Sequence, residues 1–261
     1  MWVSQVFPQW RLQWLMLFIG PLACVLAQCP WFWYRRAEVN LEIGGSIQCP
    51  LCSGLSISNY CTDNRRSYLC CSDCSLVFVP SDQHLSPEDE KAVYDQHQNS
   101  PDDQSYRKFL SRLAEPLMER LEAQSYGLDF GCGPGPTLSL MLEGQGHQLA
   151  LFDIYYADNP LLLQGSYDFI TGTEVVEHLS SPRQELDRLW AMIRPGGYLG
   201  LMTKLVKDQQ SFMGWHYKND PTHISFFSVA TFNYLADTWG AQVDYIANDV
   251  IIFRKSALEH G

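Results

Sequence analysis

The sequence predicts an α/β fold: a doubly wound, mostly parallel sheet, with a small cysteine-bearing module ahead of it. Three observations carry this expectation. Short apolar runs recur up to Asp129, over His147–Phe152, Tyr167–Gly172 and Tyr198–Thr203, and a helical period with apolar residues at 186, 189, 190 and 193 fills Pro182–Ile193. A glycine-rich turn follows the first run and opens a helix near Thr137. Two cysteine pairs stand upstream of all of it. Strands alternating with helices imply a parallel sheet covered on both faces. Arg194–Gly197 stops the helix before it and lets the next strand begin. Val243–Ala247 and Val250–Arg254, flanking Asn248-Asp249, read as a closing antiparallel hairpin.

The turn reads Leu128-Asp-Phe-Gly-Cys-Gly-Pro-Gly135, with an acid, Asp129, two residues before the first of three alternating glycines. Glycine there permits positive φ and lets a ligand approach the backbone without a Cβ in the way. The dinucleotide fingerprint is different: it needs G-x-G-x-x-G and an acid about 20 residues later. The spacing here resembles the nucleotide loop of class I S-adenosylmethionine-dependent methyltransferases, whose sheet is Rossmann-like; a strand–helix turn without a ligand is the alternative. The resemblance covers about half the chain. Asp153 ends the second strand, where that family grips the ribose hydroxyls, and Ile193-Arg-Pro-Gly-Gly-Tyr-Leu199 matches its strand-opening pattern. It implies S-adenosyl-L-methionine as cofactor, bound by Asp129, Gly131, Gly133, Gly135, Asp153 and Thr173, in a domain over 127–255. One departure is clear. Only 14 residues separate Asp153 from Asp168, where the family fits a helix and a third strand. A reduced third strand is expected, and no adenine-contacting residue is assigned.

Cys49-Pro-Leu-Cys52 and Cys71-Ser-Asp-Cys74 form C-x2-C-x18-C-x2-C. Two such knuckles present four thiolates to one tetrahedral ion, which makes residues 47–80 a zinc ribbon with a closed, structural Zn2+ site. Cys70 is an alternative ligand without the x2 spacing. Disulfides and a rubredoxin-type iron site are the other readings; a reducing cytosol disfavours the first. The stretch resembles the zinc-binding module found ahead of many bacterial methyltransferase domains.

Residues 81–126 read as a helical linker or lid. Ser86-Pro-Glu-Asp has a cap, a first-position proline and acids in its first turn. Tyr106–Leu121 carries an amphipathic stripe interrupted at Pro116, and Tyr94, Tyr106 and Phe109 read as core before substrate box. Residues 1–46 hold five of the eight tryptophans. Their stretch 14–34 is just long enough for a membrane helix, but Arg11 and Arg35-Arg36 flank it without orienting it. An unselected extension, a membrane-associated segment and a signal peptide all remain open there, and 256–261 is a tail. The net charge of −11 disfavours a nucleic-acid partner. An enzyme using cytosolic cofactor is expected in the cytoplasm.

The chemistry-bearing cluster is Glu174-x-x-Glu177-His178 after the fourth strand, with His223 in Asn219-Asp-Pro-Thr-His223. Loops at the carboxyl ends of parallel strands converge on the ligand crevice, so the two segments should meet. Two carboxylates and two imidazoles suit Mg2+ or Mn2+. The pattern resembles O-methyltransferases of ubiquinone biosynthesis and small-RNA 2′-O-methyltransferases, both metal-dependent. That resemblance implies Glu174, Glu177, His178 and His223 as ligands. A metal-free site has Glu177, His178 and His223 catalytic, with His223 as general base; a purely structural role is the third reading. Phe212–Asp220 is the expected lid, with Trp215, His216 and Tyr217 toward substrate or Trp215 in the core. The sequence is thus identified as a methyltransferase acting on a small-molecule oxygen, with RNA or sugar-nucleotide methylation, or a non-catalytic interaction subunit, as alternatives.

Overall fold

The computed structural model describes residues 47–96 and 99–257. The readings of 1–46, including the membrane and signal options, and of 258–261 lie outside the described residues. Among the described residues no helix is long and apolar enough to cross a membrane.

Six strands form the main sheet: β4 (Tyr126–Phe130), β5 (Gln148–Phe152), β6 (Tyr167–Thr173), β7 (Ile193–Met202), β9 (Gln242–Ile246) and β10 (Val250–Arg254), in the order β5-β4-β6-β7-β10-β9. The first four are parallel and β10 runs antiparallel to both neighbours. Both faces are covered, so the central strands bury apolar residues on both sides. In β10, Val250 and Ile252 meet one helical layer while Ile251 and Phe253 meet the other. The first layer is α2 (Gln104–Met118) with α3 (Thr137–Glu143); the second is α4 (Pro182–Met192) with α6 (Val229–Trp239). This is the α/β, Rossmann-like architecture the sequence predicts.

Three local expectations change. No third strand forms: Asp153 bridges Ala157 and Pro160–Gln164 coils into a single 3-10 turn. Fourteen residues are too few for both a strand and its crossover, which needs a dozen or more alone. β5 is therefore an edge. Pro116 does not stop α2, which continues to Met118 and buries Leu113 and Leu117 on either side of it; one lost backbone hydrogen bond near the helix end is offset by that burial. The Arg194–Gly197 stretch lies inside β7, where Gly196 at φ +83° absorbs the irregularity. Elsewhere the caps hold as expected, with Ser86 accepting the Asp89 amide ahead of α1 (Pro87–Tyr94).

The cysteine module is a second sheet, β1 (Ile57–Thr62), β2 (Ser67–Cys71) and β3 (Val77–Phe78), all antiparallel. Its fourth strand comes from the far end of the chain. β8 (Ser225–Phe226) pairs with β3, Val77 opposite Phe226 and Phe78 opposite Ser225. Lys218, almost fully buried, reaches Asp63 of the module, and Tyr68, Phe212 and Phe226 pack edge to face beneath.

The Asp63–Lys218 pair gives a pH-resolved test of this seam. Burial alone would raise the Asp63 carboxyl, but the Lys218 ammonium and the Arg66 and Arg65 amides hold it well below the usual carboxylate range. A depressed folded-state pKa stabilises the fold above the unfolded value of about 4, and the contribution is lost as pH falls through the folded value. Asp63→Asn is expected to lower unfolding free energy by about 1–3 kcal/mol at pH 7. Urea titrations should show the gap to wild type closing as pH falls below about 4; a gap constant with pH would refute the assignment.

Candidate functional site

The carboxyl ends of β4, β5, β6 and β7 open on one crevice, where ligands of such sheets bind. At its floor Gly131 and Gly133 take φ +74° and +63°. A Cβ on Gly131 would lie 2.4 Å from Val175 Cγ2, whereas one on Gly133 would meet nothing within 4 Å. Gly135 lies beneath the Asn99 carbonyl, which a Cβ there would strike at 2.0 Å. Asp153 Oδ2 accepts the Gly133 amide at 3.0 Å, and Oδ1 accepts those of Tyr155 and Tyr156 at 2.8 and 3.1 Å. Oδ2 keeps a lone pair for a further donor, whereas both of those on Oδ1 are engaged. Thr173 ends β6 beside Met202 of β7. Asp129 stands apart from this set. It is fully buried, its oxygens accepting the Ser139 and Thr171 hydroxyls at 2.8 Å each; it ties β4 to α3 and β6 from below the loop.

The acid and imidazole residues meet at the other side of the crevice. Glu174 leaves β6 with φ +53°, a left-handed conformation that costs a non-glycine residue about 1–2 kcal/mol. A 3-10 turn, Val176–His178, follows and turns Glu177 into the interior, where it is wholly buried. The Ile224 amide donates to the Glu177 carbonyl at 2.8 Å, and this brings His223 against His178 with ring centroids 4.7 Å apart. Glu177, His178 and His223 offer ligand atoms that lie within 4.8 Å of one another. Glu174 falls outside this group of three.

Tautomers follow from the partners. His178 Nδ1 is 3.1 Å from the Thr222 carbonyl, and His223 Nδ1 is 2.7 Å from the Tyr217 carbonyl. A carbonyl oxygen only accepts, so each Nδ1 carries the proton and donates it. Where such a ring is neutral, its lone pair is then on Nε2. For His223, burial and the adjacent His178 push the pKa down to about 4, so the ring is neutral at pH 7. Burial raises both carboxyls, and the charge of Glu177 raises Glu174 further. The Tyr217 phenol is hydrogen-bonded to Glu177 Oε1 and lies 3.3 Å from Glu174 Oε2. Glu174 Oε1 and Glu177 Oε2 are buried with no hydrogen-bond partner. A buried carboxylate oxygen without a donor, as at Glu177 beside the two imidazoles, is one a cation can meet.

Several residues belong to this site that the sequence did not single out as such. Tyr217 sits in the expected lid, but as a buried partner of the two carboxylates. Tyr94 of α1 lays its ring edge-on to His178 at 5.2 Å. Tyr106 of α2 lies near Asp129 and Glu174, and burial with their charges raises its phenol to about 12. Trp215 packs among Phe212, Tyr217 and Phe226 as a core anchor, whereas His216 is exposed beside Lys204 Nζ at 3.2 Å. A separate groove of about 530 Å3, walled by Tyr60, Val77, Leu205, Val229 and Tyr245, is lined by none of the acid or imidazole residues; the crevice carries the chemistry.

In the module, Cys49, Cys52, Cys71 and Cys74 converge with their sulfurs within 4.8 Å of one another. Cys49 and Cys74 are 3.5 Å apart and Cys52 and Cys71 3.4 Å, near the edge of about 3.8 Å for a tetrahedron with 2.3 Å metal–sulfur bonds. The Leu51 and Gly54 amides donate to Cys49 and Cys52. Cys70 stays outside, its thiol toward the Cys71 carbonyl. None of the described cysteines forms a disulfide.

A methyltransferase-domain family matches residues 96–246, more than half of the chain, and the chain belongs to that family. It is an S-adenosylmethionine-dependent methyltransferase. Among solved structures, an O-methyltransferase family protein of Burkholderia thailandensis is 13% identical, with 65% of this chain and 60% of that protein covered and a TM-score of 0.47. The 1,6-didemethyltoxoflavin-N1-methyltransferase of the same organism, bound to S-adenosylhomocysteine, is 15% identical over 71% of this chain and 98% of its own, at 0.45. A Haloferax volcanii methyltransferase complexed with the Trm112 methyltransferase activator is 13% identical over 67% of this chain and 100% of the other, also at 0.45. No curated protein matches the sequence.

Gly133→Ala separates ligand contact from folding. Its Cβ has room, so stability should fall only by the left-handed strain of about 1 kcal/mol. S-adenosylhomocysteine affinity is expected to drop at least about tenfold in calorimetry, a loss of about 1.4 kcal/mol or more. Wild-type affinity in this variant would remove the glycine loop from the cofactor site.

Proposed function

We propose that the enzyme O-methylates a small molecule with the help of a divalent ion held by Glu177, His178 and His223, and that Zn2+ closes the ribbon at Cys49, Cys52, Cys71 and Cys74. One observation carries the first part: two Nε2 lone pairs and a buried carboxylate converge within 4.8 Å, while Glu177 Oε2 has no other partner. The cofactor, held over Gly131, Gly133 and Gly135 with Asp153 on its ribose, supplies the methyl group. Mg2+ or Mn2+ at the trio would lower the pKa of an acceptor hydroxyl and fix its orientation. The chain does the rest. Proximity of the two crevice walls aligns acceptor and methyl group. Tyr217 holds Glu177 in place through its phenol. Glu174 Oε1, unpartnered, would in its ionised form receive the hydroxyl proton as the oxygen–carbon bond forms and the sulfonium sulfur–carbon bond breaks.

The metal-free alternative makes His223 the base, with Asp220 Oδ2 3.9 Å from its Nε2 to steady the imidazolium. A ring held near 4 by burial is a weak proton acceptor at neutral pH, but a neutral imidazole is what a metal requires. The net charge of −11 supports a small-molecule acceptor over RNA. Reduced thiols and a cytosolic methyl donor favour the cytoplasm.

Manganese titration of the full chain, saturated with S-adenosylhomocysteine and followed by electron paramagnetic resonance, tests the ion site. One ion per chain is expected in the wild type and none in Glu177→Ala/His223→Ala. No binding in either protein would leave His223 or His178 as a bare base. For the ribbon, elemental analysis is expected to find one zinc per chain, lost in Cys49→Ser/Cys74→Ser; unchanged zinc in that variant would place the ion elsewhere.

A further inference from the structure

The loop that leads to His223 curls around one side chain of the cysteine module. Arg66, buried in β1–β2's connecting turn, sends Nη2 to the Lys218 and Asp220 carbonyls at 2.6 and 2.8 Å and Nη1 to the Pro221 carbonyl at 3.0 Å. Its Nε contacts the Tyr68 hydroxyl at 3.3 Å, and its own amide donates to Asp63 Oδ1. The guanidinium thus uses its planar fork on three carbonyls of one loop. An ammonium lacks that geometry.

The identity of those carbonyls gives the contact its meaning. The two imidazoles are oriented by the Tyr217 carbonyl, for His223, and the Thr222 carbonyl, for His178. Arg66 grips the next carbonyl along from the first, at Lys218, and the one preceding the second, at Pro221. Peptide planes are rigid and joined at Cα, so fixing Lys218 and Pro221 limits where their neighbours' oxygens can point. We infer that Arg66 is the positioning residue of the site: from the ribbon, it holds both histidines in the Nδ1-protonated tautomer and so presents both Nε2 lone pairs to the crevice. The module then has a part in the site. It sets the geometry of a site whose ligand atoms belong to the methyltransferase domain.

Arg66→Met keeps the apolar stem and removes the fork; Arg66→Lys keeps the charge. Both are made in the full chain, with zinc content and S-adenosylhomocysteine affinity measured alongside. Long-range proton–nitrogen spectra of the histidine rings, assigned with His178→Gln and His223→Gln, read the tautomers directly. The wild type should show Nδ1–H at both rings, and Arg66→Met a mixture at both, with cofactor affinity within about twofold of wild type. Manganese affinity should fall at least about tenfold in Arg66→Met and less in Arg66→Lys. If Arg66→Met does not fold, Arg66→Lys alone decides by the same spectra, since one ammonium cannot hold all three carbonyls. Unchanged tautomers in the folded variants would overturn the inference. The manganese arm rests on the proposed metal reading and the ring spectra do not, so a wild type without manganese binding defeats that reading while the spectra still judge Arg66.

Discussion

Residues Ile224–Phe226 belong to two structures at once, and the rest of the site depends on that double use. On one side their backbone completes the sheet of the cysteine module, with Ser225 and Phe226 paired to β3 and the Val79 amide on the Ile224 carbonyl. On the other, the Ile224 amide holds the carbonyl of Glu177 and the Ser225 hydroxyl donates to the Leu179 carbonyl. An extended strand exposes hydrogen-bonding groups on both edges, and here both edges are used. His223 sits immediately before this strand and cannot move without loosening the module sheet or the turn that carries Glu177 and His178. Two carboxylates and two imidazoles can be held in a crevice because the loop bearing one of them is stitched to both walls.

That rigidity bears on the charge balance. Burying Glu174 and Glu177 with a single shared phenol leaves one oxygen of each without a donor, and an unpaired buried polar group costs about 1–3 kcal/mol. The left-handed backbone at Glu174 adds to the cost. Lys204, the nearest cation after β7, is turned toward His216 and the Tyr217 ring. A fold that concentrates such costs at one point, opposite a glycine loop, has a crevice that gains stability from any cation able to meet the free oxygens.

Much of this was legible in the sequence. The glycine turn, the strand ends at Asp153 and Thr173, the hairpin at Asn248-Asp249 and both cysteine knuckles are local patterns, and each lands where the pattern puts it. Glu177, His178 and His223 converge because strand ends converge. What escaped is non-local or too short to have a period. β3 and β8 have two residues each, and nothing near Val77 names Phe226 as its partner. Arg66 belongs to no local pattern, and the loop it grips lies some 150 residues away. Glu174 looked equivalent to Glu177, but positive φ separates their side chains. Asp129 carries the expected acid, yet Ser139 and Thr171 claim both its oxygens, and neither hydroxyl belongs to the motif that drew attention to it.

The absent third strand shifts work onto the helical linker. With β5 at the edge, the loop after Asp153 has no neighbouring strand to hold it, and an uncovered edge invites unwanted pairing. The chain answers with tyrosines. Tyr155 donates to Glu90 at 2.7 Å and Tyr156 to Asp95 at 2.8 Å, and Lys91 both pairs with Asp95 and lies over the Tyr156 ring. Tyr94, on the same helix, donates to Glu90 and reaches His178. One short helix, α1, therefore touches the Asp153 loop at one end of the crevice and the histidines at the other. Surface ion pairs of this kind contribute little each, so the helix is held by several weak contacts and no deep burial, with none of its residues in the core. Such an element opens at low cost. The shortened connection that removes a strand from the sheet thus leaves α1, beside the crevice, held by these surface contacts alone.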